Sequence, residues 1–219
     1  LELTNNSVTG KGNNNYHLSC NKENVYTFQV DNDIHINMVP IPELAHRVNK
    51  VFDIIRINRL NISGKFMGDK NITGTAYLQR VTVRTHILPW FWGIFHFENG
   101  HVITYFKAFL LGIPMIKNIT FYNNENFYSI NKKITIKKVG NRYKIRSPNI
   151  NFDTVPYSKT SWTFRKKKKL GIIPNKLIYR EHPAVIENIS INIKGKKYNE
   201  KNILIKVGNI EWASGFLAL

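Results

Sequence analysis

In the run GTAYLQRVTVRTHILPWFWGIFHFENGHVITYF, residues 74–106, groups capable of acid, base or ion-pair chemistry are interleaved with large apolar ones. Arg80, Thr82, Arg84 and His86 occupy every second position, and Trp90, Trp92, Ile94, His96 and Glu98 do so again. An extended strand sends successive side chains to opposite faces, so each series shares one face. If the two faces meet, indoles, imidazole, guanidinium and carboxylate line one pocket, the mixture of apolar wall and few polar groups that binds a small molecule. His96, Glu98 and Arg80 are then the candidates to move a proton or polarise the ligand. Tyr77, Arg84, His86, Trp90, Trp92, Ile94, Ile103 and Tyr105 are the candidates to hold it. Each residue also has a plainer reading. Alternate aromatics are ordinary core, a lone histidine among them is a hydrogen-bonded structural group, and Arg80 and Arg84 are outward charges on a half-solvated strand. Glu98 and His101, beside a turn, read as a solvent-exposed pair.

These residues have to be positioned by strands. Asn99-Gly100 is a hairpin signal, and a two-residue type I′ turn there sets His96 opposite Ile103 and Ile94 opposite Tyr105. Both faces of that hairpin are largely apolar, which predicts a central place in the sheet. Elsewhere the same alternation recurs between turn compositions: Asp31-Asn32-Asp33, Asn123-Asn124 and Gly140-Asn141. Many short strands spaced by hairpin turns predict an all-β fold, an antiparallel barrel or closed β-sandwich with at most one short helix. The helix candidate is Pro40 to Phe52, where Leu44, Val48 and Phe52 stand at helical spacing. Residues 1–14, rich in Asn, Gly, Ser and Thr, read as a flexible lead-in, and 15–219 as one domain. The chain does not begin with Met, so a removed leader or a further domain stays open.

Composition narrows the chemistry. Thirty-two Lys and Arg against 14 Asp and Glu give a net charge of +18, a field that attracts polyanions. The charge is spread along the chain, as AT-rich coding would also produce. The densest run, RKKKK from Arg165 to Lys169, is read as a solvated basic loop, with contact to phosphate or anionic lipid as its functional alternative. The single cysteine, Cys20, excludes an internal disulfide and reads as a packing residue. Metal-ligand spacings, phosphate-cradling glycine loops and nucleophile elbows are all missing from the sequence, so no cofactor and no metal is expected. No apolar run reaches the roughly 18 residues of a membrane-spanning helix, which points to a cytoplasmic or peripheral membrane location.

The segment TGTAYLQRV followed by PWFWGIFHFENGHVITYF resembles the lipocalin-like family of the bacterial carotenoid hydratases, the hydroxyneurosporene synthases, through Gly74, Tyr77, Trp90, Trp92, Gly93 and the Asn99-Gly100 turn. The resemblance covers about residues 74–106 and implies a calyx of antiparallel strands around an isoprenoid, with lyase or isomerase chemistry. Where the family carries an Asp-His pair after its Tyr, this chain has Leu78, Gln79 and Arg80. Acid catalysis on an alkene would therefore fall to His96 or Glu98. The expectation is a protein that binds a hydrophobic isoprenoid or lipid and can modify it. The alternative is a basic module for a polyanion, either an anionic membrane surface or, less favoured, single-stranded nucleic acid.

Overall fold

Alternation dominates the sequence, and strands dominate the computed structural model, which describes residues 2–3, 7–11, 14–49, 52–67, 70–83, 89–110, 112–157, 161–167, 176–201 and 205–216. All strand pairings with a stated register are antiparallel, so the fold is all-β as expected. Within the chain the strands gather into two compact units, Leu1–Thr82 and Val83–Leu219.

The first unit contains β1 (Glu2–Leu3), β2 (Ser7–Lys11), β3 (Asn15–Cys20), β4 (Tyr26–Val30), β5 (Ile34–Pro40), β6 (Ala45–Asn49), β7 (Phe52–Phe66) and β8 (Lys70–Val83). Two of these strands lie in the expected lead-in, because β2 finds a partner in β3. Met38, Ile57 and Leu60 form the buried centre, with Leu18, Phe28, Ile36, Ile62, Ala76 and Leu78 packed around them. The expected helix is not formed. Pro42–Leu44 makes one 3₁₀ turn that buries Leu44, after which the chain continues as β6. The reason is β7: β5 pairs with its Leu60–Phe66 stretch, and β6 with its Asp53–Ile57 stretch. Backbone donors offered by a long neighbouring strand outweigh three side chains at helical spacing.

The second unit contains β9 (Trp90–Phe97), β10 (Val102–Leu110), β11 (Ile113–Tyr122), β12 (Phe127–Ile130), β13 (Thr135–Val139), β14 (Arg142–Arg146), β15 (Ile150–Pro156), β16 (Trp162–Lys167), β17 (Lys176–Ile193), β18 (Lys196–Asn199) and β19 (Ile205–Phe216). Their order is β12-β11-β10-β9-β19-β17-β15-β14-β13, with β16 and β18 also paired to β17. β9 is therefore central, as its two apolar faces predict. One core joins strands from both ends of this order: Ile119 and Phe121 of β11 pack in the same cluster as Ile134 and Ile136 beside and within β13, around Phe95, Phe97, Tyr105 and Phe152.

The sheet thus curls around its core, yet the expected closed barrel is not formed among the described residues. Among these residues no backbone pairing joins the two ends of the order. At the seam, Lys117 Nζ donates to the Ile134 carbonyl at 3.2 Å and Lys107 Nζ to the Ile136 carbonyl at 3.0 Å. Lysine side chains occupy acceptors that a closing strand would need, which is also how sheet edges are protected from adding strands.

Candidate functional site

The β9–β10 hairpin decides whether the anticipated pocket exists. Its turn is not the two-residue type I′. Phe97 N–H donates to the His101 carbonyl at 3.0 Å, and Gly100 N–H to the Phe97 carbonyl at 3.1 Å, with Gly100 at φ +90°. Glu98, Asn99 and Gly100 form a three-residue loop with Gly100 at its left-handed position. That one extra residue moves the register by one, so His96 faces Val102, Phe95 faces Ile103, Ile94 faces Thr104 and Gly93 faces Tyr105. A one-residue slip exchanges the faces of every partner.

Two separate surfaces result. Phe95, Phe97, Ile103 and Tyr105 point into the core of the second unit, with Phe91 packed against it. Trp90, Trp92, Ile94 and His96 occupy the opposite face of β9, so the structure does not bring them to Ile103 and Tyr105 as expected. Trp92, Ile94 and His96 are buried there. Burial pushes the Tyr105 phenol far above its usual range. It is a poor proton donor. Glu98 lies exposed in the turn, away from the buried His96, whereas His101 is buried against the rings of Phe121 and Tyr198. The expected exposed pair of Glu98 and His101 is thereby split. Tyr77 and Arg80 belong to β8 of the first unit; the Arg80 side chain, Arg84 and His86 lie outside the described residues.

The turn itself gives a test. A type I′ turn would need positive φ at both Asn99 and Gly100, whereas here only Gly100 has it. Gly100→Ala is therefore expected to cost about 1 kcal/mol or more, and Asn99→Ala no more than about 0.5 kcal/mol. Urea denaturation of the two variants checks this, and equal losses would restore the two-residue turn.

A second constellation is built by β16. Arg165, Lys166 and Lys167, expected in a loop, are in this strand, with Trp162 and Phe164 just before them, while Lys168 and Lys169 lie outside the described residues. Every residue of β16 is exposed. Trp162 retains 57% of its accessible surface, and its ring stacks on Phe164 at 6.0 Å with 15° between planes. Trp162 also meets Tyr179 edge to face at 5.6 Å, and Tyr179 in turn meets Trp90 at 5.9 Å. Aromatic rings thus run from β16 across β17 to β9. Trp162 and Phe164 were not singled out from the sequence, although their alternation directly before a basic run was visible.

The ladder relates β16 to a further apolar feature. Successive partners Phe164, Tyr179, Ala213, Trp90, Ala108 and Ile116 place Phe164 and Ile116 at one level of the sheet. Beyond that level, at the same end, β11 begins with exposed Ile113 and Met115, and Ile113 keeps 64% of its surface. Exposed Arg165, Lys166, Lys167 and Lys176 stand beside this end of the unit. Among the described residues no cluster of His, Cys, Asp and Glu could hold a metal ion. No helix among them is long and apolar enough to cross a membrane. No protein-family model and no curated protein matches the sequence. What the fold and its surfaces define is an all-β antiparallel protein with a basic, aromatic end to its second unit.

Proposed function

We propose that the protein binds lipid by docking the β16 end of its second unit on an anionic membrane surface. The carrying observation is the exposed Trp162–Phe164 stack on a strand continuing into Arg165, Lys166 and Lys167. Trp rings favour the headgroup level of a bilayer, where an apolar ring and a polar N–H are both accommodated. Lys and Arg beside them add about 1 kcal/mol each against an anionic surface. Ile113, Met115 and Ile116 at the same end supply apolar side chains able to enter the acyl boundary. The resemblance over residues 74–106 points toward the same ligand class, since it implies an isoprenoid-like, apolar partner. Isoprenoid modification within a pocket is the weaker reading, because the β9–β10 register separates the residues meant to line it.

Vesicle co-sedimentation tests the proposal. The protein is expected to pellet with phosphatidylcholine vesicles containing phosphatidylglycerol, not with phosphatidylcholine alone, and to release as salt is added. Trp162→Ala combined with Phe164→Ala is expected to weaken this at least about tenfold, or 1.4 kcal/mol, with an unchanged circular dichroism spectrum because both rings are exposed. Retention of single-stranded DNA without vesicle binding would replace the lipid reading by a nucleic-acid one, and no binding to either would sink it.

A further inference from the structure

At the same end of the second unit the inward face carries cations. Tyr105, Ile119, Ile136 and Ala184 all belong to the core. Alternation from them sends Lys107 of β10, Lys117 of β11, Lys138 of β13 and Arg180 of β17 inward as well. Lys138 Nζ lies 4.7 Å and the Arg180 guanidinium carbon 4.9 Å from the centre of the Trp212 ring. None of the four shares in an ion pair with a carboxylate among the described residues. The nearby Arg142 and Arg146, by contrast, are neutralised by Glu187 and Asp153.

Lys107 and Lys117 are held side by side. Their ammonium groups donate to the carbonyls of Ile136 and Ile134. Lys107 and Lys117 are also direct partners in the β10–β11 ladder, so their side chains leave the sheet from adjoining points. Each ammonium has three donors. One is used on the carbonyl, leaving two on each lysine. A tetrahedral oxyanion offers several oxygens and can accept from both ammonium groups at once. Burial, followed by the charges of Lys117 and Lys137, lowers the Lys107 pKa. An anion between these groups would remove that repulsion. Edge protection alone explains the two carbonyl bonds, but not why two lysines converge on a part-buried site with no acid to balance them.

We propose that Lys107 and Lys117 form a phosphate-binding site at the seam of the second unit, filled by a free phosphate compound or by the phosphate of a lipid headgroup. The site needs neither Trp162 nor Phe164 and stands apart from the docking reading. Calorimetric titration of the full chain with inorganic phosphate, against chloride at matched ionic strength, is expected to show saturable binding. Lys107→Gln with Lys117→Gln should weaken it at least tenfold, whereas the double Arg variant and Lys166→Gln on exposed β16 should bind as the parent does. Where the double Gln variant melts early, phosphorus NMR on the folded single variants supplies the same readout. Beyond inorganic phosphate, saturation by glycerol phosphate at least as tight as by phosphatidate in vesicles assigns a free ligand, and much tighter saturation by phosphatidate assigns a headgroup. Equal responses to phosphate and chloride, or parental affinity in the double Gln variant, overturn the site. Phosphate binding that survives Trp162→Ala with Phe164→Ala, while vesicle binding is lost, separates the two readings.

Discussion

Truncating Phe152 to alanine is expected to cost the second unit about 3–5 kcal/mol, the range for removing a large aromatic side chain from a closed core. Phe152 is fully buried on β15, with its ring 6.0 Å from that of Tyr105 and its backbone paired to Ile145. The core cluster to which it belongs draws on strands across the whole sheet order, so no single strand can move to fill the space without breaking pairings elsewhere. Part of the loss is the transfer term for the ring and part is the cavity left behind. Urea denaturation followed by tryptophan fluorescence should show a lower midpoint with an unchanged slope. Phe164→Ala on exposed β16 provides the comparison, expected within about 0.5 kcal/mol of the parent. A loss below about 1 kcal/mol for Phe152→Ala would mean that the interior has room to spare, and would return the hydrophobic pocket to first place.

The second large effect concerns Gly208. It lies in β19 opposite Phe95, just after an irregularity in the β9–β19 register. A methyl group there would run into the Ile94 carbonyl oxygen and the Phe95 ring. Neither can yield easily. The carbonyl belongs to the central strand, flanked by β10 and β19, and the ring is fully buried. Gly208→Ala is therefore expected to destabilise by about 3 kcal/mol, at the upper end of overpacking. Gly74→Ala is the control, since its added methyl would meet only Ile62 side-chain atoms at ordinary contact distance. Thermal unfolding of both variants checks the pair. A Gly208→Ala protein as stable as the parent would show that β19 does not approach β9 so closely.

The binary pattern made much of this molecule legible. Period-two alternation marked β9, β10, β14 and β19, and the turns at Asp31-Asn32-Asp33, Asn123-Asn124 and Gly140-Asn141 fall where composition put them. The candidate site was less legible, because it depended on a register. Asn-Gly fits a two-residue turn and also the end of a three-residue loop, since a glycine satisfies the positive φ in either. The difference is one residue, and it carries Trp92 and His96 away from Tyr105. Leu44 and Val48 likewise stood at helical spacing until β7 provided a strand for Ala45–Asn49 to pair with.

Local chemistry along the chain determined that the protein is built of antiparallel strands, that β9 is buried on both faces, and that positive charge is in excess. Each follows from side-chain alternation or composition, which need no knowledge of distant partners. Tertiary structure alone decided that the second sheet stays open among the described residues with lysines at its seam, that Trp162 is exposed and Phe164 stands exposed at the level of Ile116, and that Lys107 stands beside Lys117. Those relations depend on which strands meet and in what register. A hydrogen-bonded ladder fixes that over the whole sheet at once, whereas a turn sequence constrains it only locally.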